Sequence, residues 1–162
     1  MILTMDKLIL NASELVKFRD GYRKNAKKVV LATGVFDILH PAHLKFLEKS
    51  REYGDVLIVG INDDDFARKK GANRPVQNEY DRAYLIAGFS CVSCVHIFDN
   101  GDDARDILRL IKPDVYIMST TSSQRPEDRS QHELIREIGG KVIVFDAFST
   151  THSTTIIEKI KD

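Results

Sequence analysis

At 162 residues the chain is long enough to bury a sizeable core and too short for two domains of ordinary size, so one domain is expected. Its 24 basic residues equal its 24 acidic ones, so no net field draws it to nucleic acid or an anionic membrane, and any anion site must be local. No apolar run approaches a membrane span, and the opening Met1-Ile2-Leu3-Thr4-Met5-Asp6-Lys7 lacks the charged start and long apolar run of a secretory signal; a cytoplasmic location is the default expectation.

In chain order, residues 11–24 read as a leading helix, with Asn11 or Ser13 as cap, Leu15, Val16 and Phe18 on its apolar side, and Asp20-Gly21 expected to fray it. Arg23, Lys24, Lys27 and Lys28 follow its end, where they complement the helix dipole and stay solvated rather than forming a nucleic-acid patch. Short β-branched runs then recur at residues 28–34, 55–61, 92–98, 114–118 and 141–145. Nearly continuous apolar runs of this length suit strands covered on both faces, hence a parallel sheet. Between them lie amphipathic stretches: residues 43–53, with Leu44, Phe46, Leu47 and Tyr53 as buried candidates, and residues 79–89, with Tyr80, Leu85, Ile86 and Phe89. The alternation predicts an α/β fold, a Rossmann-like, doubly wound, five-stranded parallel sheet built of right-handed βαβ units. Ligands bind such sheets beyond the carboxyl ends of the strands, where the strand order reverses.

Cys91-Val92-Ser93-Cys94, followed by His96, invites a metal or redox reading. A structural zinc site needs four ligands and no second pair follows; a redox pair would open a helix, whereas this one leads into a β-rich run. Core packing at a strand start is the expectation, and no metal ligand set is assigned. His96, His132 and His152 are read as structural or surface residues.

Neither a Walker-type loop nor Gly-x-Gly-x-x-Gly after a strand is present, so phosphate must be held some other way. The first strand runs out into Thr33-Gly34-Val35-Phe36-Asp37-Ile38-Leu39-His40-Pro41-Ala42-His43, and a periodic apolar helix begins at once. Two histidines thus stand where a strand's carboxyl end meets a helix amino terminus, whose unpaired N–H groups and dipole favour a phosphate. Pro41 fits a first helical turn. The imidazoles can donate to triphosphate oxygens as charge moves toward departing pyrophosphate.

This run resembles the His-x-Gly-His signature of the cytidylyltransferase-like nucleotidyltransferases, over residues 27–160. Within them the chain is most similar to the adenylyltransferase domain of the D-glycero-D-manno-heptose 1-phosphate adenylyltransferases, and more distantly to glycerol-3-phosphate cytidylyltransferase. Gly60-Ile61-Asn62-Asp63-Asp64, Lys70-Gly71, Arg74-Pro75, Asp81-Arg82 and Ser153-Thr154-Thr155-Ile156-Ile157 fall where that likeness expects them. It implies residues 1–26 as an N-terminal helical extension and 27–162 as the nucleotidyltransferase domain. It also implies that His40 and His43 bind the triphosphate and stabilise the transition state, and that Lys70, on a mobile stretch, and the helix-borne Arg82 act beside them. Thr33, Gly34, Val35, Phe36 and Asp37 would line the nucleotide site, with Asp37 and Asp64 near metal, nucleotide and acceptor. Ser153, Thr154 and Thr155 would grip the outer phosphates at a second helix start, as hydroxyls at a helix amino terminus do well. Asp63, Asp64 and Asp65 equally fit a solvated capping cluster, and Arg68, Lys69 and Lys70 ordinary surface residues.

The implied partners are a nucleoside triphosphate, ATP favoured over CTP, with Mg2+, a small phosphorylated acceptor, and a second copy in a homodimer; no nucleic acid and no membrane are expected. An acceptor that is already a phosphate needs no general base, so positioning and charge stabilisation suffice. Two features depart from the pattern. Ala42 stands where the family has glycine, and Met118-Ser119-Thr120-Thr121-Ser122 replaces a Lys-Gly-Gly-Asp-Tyr type of run. The alternatives are a cytidylyltransferase for a polyol or amino-alcohol phosphate, and a nucleotide-binding protein that has lost turnover.

Overall fold

The computed structural model describes residues 4–99, 104–120 and 126–146, together with the isolated positions 148, 156, 157 and 159. Five strands, β1 (Val29–Gly34), β2 (Val56–Asn62), β3 (Cys94–Phe98), β4 (Val115–Ser119) and β5 (Lys141–Phe145), form one sheet in the order β3-β2-β1-β4-β5. Every pairing is parallel, as the unbroken apolar runs predict. Among the described residues a 3-10 turn spans Thr4–Lys7, and the α-helices with defined bounds are α1 (Ala12–Arg23), α2 (Pro41–Arg51), α3 (Asp64–Arg68), α4 (Glu79–Ala87), α5 (Arg105–Ile111) and α6 (Pro126–Glu137).

Alternation along β1 splits the core in two, because successive side chains of a strand point to opposite faces. Val30 and Ala32 join Leu47 of α2 and Ala83, Ile86 and Ala87 of α4. Val29 and Leu31 join Leu15 of α1, Ile107, Leu108 and Ile111 of α5 and Ile135 of α6. The sheet is therefore wound on both faces, and the strand order reverses between β1 and β4. Pairing between those two strands runs only from Val30↔Val115 to Ala32↔Ile117, while β1 continues beside β2 as far as Gly34↔Ile61. Pairing with β4 thus stops short of Thr33 and Gly34, and the reversal of strand order there marks the crevice in which sheets of this topology bind ligands.

The leading helix is capped by Asn11, whose side chain accepts from the Ser13 amide at 2.7 Å. It runs through Asp20-Gly21 without the expected fray. Tertiary bonds hold it there: Arg19 donates to the Leu110 carbonyl at 2.5 Å and Arg23 to that of Lys112, so two arginines of α1 satisfy carbonyls at the end of α5. Leu15 is fully buried. Upstream, Leu8 bridges Val95, and the His96 Nδ1 meets the Ile9 carbonyl at 2.6 Å.

Two expected core residues lie outside. Tyr80 is 57% and Leu85 40% exposed, because Arg82, Ala83, Ile86 and Ala87 make the inner face of α4; Leu85 falls about 200° around the helix from Ala83. β3 begins at Cys94 rather than Val92, since Val92 closes a turn on Phe89. Both cysteines are free thiols. Burial raises the pKa of Cys91 and pushes that of Cys94 up to about 12, which makes them inert packing residues.

Candidate active site

Pro41 is the first residue of α2 and His40 its cap, in extended conformation, so the two histidines occupy the strand-to-helix junction that the sequence predicts. The His43 amide donates to the His40 carbonyl at 2.9 Å. Their rings stack, with centroids 3.9 Å apart and 27° between planes, and the Phe36 ring meets His43 edge-on at 5.4 Å. Burial first, then the charge of His40, lower the His43 pKa to about 4 against the opposing pull of Asp37. At neutral pH His43 is thus an uncharged imidazole. Its Nδ1 is buried with no hydrogen-bond partner among the described residues.

Gly34 precedes this turn because Phe36 folds back over it: a Cβ there would stand 2.8 Å from the Phe36 ring. On β1, Thr33 Oγ1 lies 2.8 Å from the Tyr116 hydroxyl, which donates to buried Gln131 of α6 at 3.2 Å. The crevice wall is therefore braced from β4 and α6.

Asp37 is buried. Arg74 Nη1 reaches its carboxylate at 2.7 Å, and the amides of Val76 and Gln77 donate to it at 3.0 and 3.1 Å. Burial pushes this carboxyl up, but the Val76 amide, the Arg74 guanidinium and the Gln77 amide together outweigh it and leave the pKa below the ordinary carboxylate range.

Arg82 is 0% exposed. Its guanidinium donates to the carbonyls of Gln77 and Asn62 at 3.0 Å each, to the Val35 carbonyl, and to Asp64 at 2.7 Å. It ties the ends of β1 and β2 to the start of α4. Asp64, its side chain 21% exposed, is the carboxylate that reaches the rim, and its amide donates to Glu79 at 2.8 Å. Asp63 caps α3 through the Phe66 amide, as a capping cluster would. Lys70 is exposed, its Nζ 5.3 Å from the Phe66 ring centroid.

The structure thus gathers Thr33 to Asp37, His40, His43, Asp64 and Arg82 around the carboxyl ends of β1 and β2, with Lys70 on the surface beyond α3. Ser153, Thr154 and Thr155 lie outside the described residues, as does His152. Arg74 and Gln77 escaped the sequence reading as site residues. Pro75 marks a turn there, but nothing local announces that its neighbours clamp an aspartate 37 positions earlier. Among the described residues no three His, Cys, Asp or Glu side chains converge as a metal cluster, and no helix is long and apolar enough to cross a membrane.

The cytidylyltransferase-like family model matches residues 31–160. The chain belongs to the cytidylyltransferase-like family of nucleotidyltransferases. It is 39% identical to the bifunctional protein HldE of Campylobacter jejuni strain RM1221, over 99% of this chain and 33% of that protein. It is 34% identical to the HldE protein of Desulfatibacillum aliphaticivorans, over 92% of this chain and 30% of the relative. The chain therefore spans about a third of the length of these curated relatives. Among solved structures, a lipopolysaccharide core biosynthesis protein from Thermoplasma volcanium GSS1 superposes with a TM-score of 0.63 at 28% identity, covering 77% of this chain and 99% of that one. Pantoate-beta-alanine ligase from Francisella tularensis shares the fold, with a TM-score of 0.65 at 16% identity, covering 95% of this chain and 76% of the ligase.

Proposed function

We propose that this member of the family transfers AMP from ATP to a small sugar phosphate. An acceptor phosphate oxygen attacks the α-phosphorus in line; the new P–O–P bond forms as the α–β bridging bond breaks, and pyrophosphate leaves. The observation that carries this reading is the stacked pair His40 and His43 at the amino terminus of α2, next to the crevice between β1 and β4. Donors fixed there meet charge as it develops on the leaving phosphates without reorganising. The likeness to HldE proteins and to a protein named for lipopolysaccharide core biosynthesis supports a sugar acceptor and, with it, ATP.

In this reading Thr33, Gly34, Val35 and Phe36 form the crevice floor, Ser153, Thr154 and Thr155 hold the outer phosphates, and Lys70 closes inward from the surface. Arg82, with its donors spent on the scaffold, holds the floor in place. Asp37 serves through the turn it fixes. Mg2+ fits as an ion carried in on the triphosphate, and the partly exposed Asp64 offers it a carboxylate. Such an ion neutralises phosphate charge and usually keeps several waters rather than sitting in a protein cage. A homodimer in the cytoplasm is the expected state.

The test is a pyrophosphate-release matrix of each nucleoside triphosphate against phosphorylated sugars, polyols and amino alcohols. ATP with a sugar phosphate should give the highest kcat/KM. CTP with a polyol phosphate leading would replace this reading with the cytidylyl one. Tight triphosphate binding without turnover for any pair would leave a nucleotide-binding protein.

A further inference from the structure

The turn between β1 and α2 holds two residues in the left-handed region: Phe36 at φ 53° and Ile38 at φ 50°, one on each side of Asp37. For an aromatic and a β-branched residue this is a costly conformation, and it persists only where the surroundings over-determine it. Residues 74–77 do so. Arg74 Nη1 pairs with Asp37 Oδ2 at 2.7 Å. The Val76 and Gln77 amides bond the same carboxylate, and the Gln77 side-chain oxygen accepts from the Ile38 amide at 3.2 Å. The far end of the turn bears on the chemistry, because the Phe36 ring stands against His43.

We propose that Arg74 is a positioning residue, latching residues 74–77 onto Asp37 so that Phe36 and Ile38 keep the conformation that seats His43. The role rests on the reading of His43 as a hydrogen-bond donor to the phosphates. Arg74 touches no reacting atom in it. Its positive charge keeps the buried carboxylate ionised and in place; a carboxylate left there without its counter-charge would protonate or swing out. The Val76 and Gln77 amides would then lose their acceptor, and Phe36 would relax away from the His43 ring.

The first measurement needs no variant. In the native protein the Val76 and Gln77 amides, in an irregular segment, should exchange with solvent about a hundredfold more slowly than unprotected amides; free exchange would overturn the latch. The second compares Arg74→Gln and Arg74→Lys by NMR and turnover. In folded Arg74→Gln the proton–proton contacts between the Phe36 and His43 rings should be lost. Its kcat should fall at least about tenfold, with KM for the triphosphate changing much less, as expected of a misplaced donor. Arg74→Lys, which keeps the charge, should retain part of both. Intact ring contacts in folded Arg74→Gln, or lower turnover in Arg74→Lys than in Arg74→Gln, would overturn the assignment. The two readings separate cleanly. A native protein that releases no pyrophosphate while the exchange and ring-contact results hold keeps the latch and loses the proposed reaction; turnover with unchanged ring contacts does the reverse.

Discussion

His40, the cap of α2, and His43, in its first turn, stack with 3.9 Å between centroids, an arrangement in which two charged rings would repel. With its pKa lowered to about 4, His43 is uncharged at neutral pH; in the proposed reaction it acts as a neutral donor, and charge arrives with the substrate. Changing either histidine to Ala should lower kcat by about two to three orders of magnitude, the usual size for one lost transition-state donor, with the fold intact. Steady-state kinetics beside far- and near-UV circular dichroism check this. Normal turnover in both variants would place the chemistry elsewhere.

The depressed His43 pKa is also a statement about stability. Its folded value of about 4 lies below the unfolded 6.5, so between these values the unfolded chain binds the extra proton and stability falls as pH falls. Full stability is present above pH 6.5 and the loss is complete near pH 4, amounting to about 3 kcal/mol at most from this one group. His96, also lowered by burial, adds to the loss in the same direction. Urea midpoints measured across this window should slope less steeply in His43→Gln than in the native protein. Saturating triphosphate should flatten the native slope too, because a bound anion raises the pKa of the imidazole it touches.

Much of this architecture was legible beforehand. Residues 141–145 are the fifth strand to the residue, and Pro41 opens α2 where a proline in a first turn belongs. Such features are local, set by side-chain period and backbone restriction. What the sequence hid is long-range. Arg82 reads as a helix-borne cation acting beside the histidines, and the structure commits it to two strand ends, a helix start and Asp64. Asp37 reads as a ligand-binding carboxylate and is clamped by residues 74–77. Charge and spacing alone do not distinguish a cation that binds substrate from one that staples the loops around it.

Arg82 therefore carries a stability prediction. Its fork matches two carbonyls at 3.0 Å and a carboxylate at 2.7 Å, a geometry that lysine does not reproduce. Arg82→Lys and Arg82→Ala should both lose about 3–5 kcal/mol, the range for breaking a buried pair and leaving its partners unsatisfied. Denaturant unfolding measures this. A loss of activity at native stability would instead return Arg82 to the reacting phosphates.

Gly34 is tested against a distant glycine of similar tightness. A Cβ at Gly34 would stand 2.8 Å from the Phe36 ring, and one at Gly140 2.5 Å from the Pro113 carbonyl oxygen. Each substitution to Ala should cost about 1–3 kcal/mol by overpacking. Only Gly34→Ala displaces the ring that bears on His43, so at a temperature where both variants are folded its kcat should fall well below that of Gly140→Ala. Equal activities would break the link from Gly34 through Phe36 to His43.

The acceptor is the remaining variable, and we expect positions 118–122 to influence it. β4 ends at Ser119, and the Thr120 amide donates to the Phe145 carbonyl at 2.8 Å, so Ser119 and Thr120 stand at the carboxyl edge of the sheet beside β5; Thr121 and Ser122 lie outside the described residues. Loops at that edge select substrates while the scaffold stays constant. Set against the Lys-Gly-Gly-Asp-Tyr type of run, this chain lacks a lysine point charge suited to phosphate and an aspartate suited to sugar hydroxyls, and offers short neutral hydroxyls instead. D-glycero-D-manno-heptose 1-phosphate is therefore expected not to be the best acceptor; another sugar phosphate or a smaller phosphorylated alcohol should exceed it in kcat/KM. Grafting Lys-Gly-Gly-Asp-Tyr onto positions 118–122 should shift preference toward the heptose phosphate by about tenfold or more, the scale of one added charge-assisted hydrogen bond. If the unmodified chain already uses that heptose phosphate with ATP better than every other pair, the run has changed without changing the chemistry, and acceptor choice resides in other residues of the crevice.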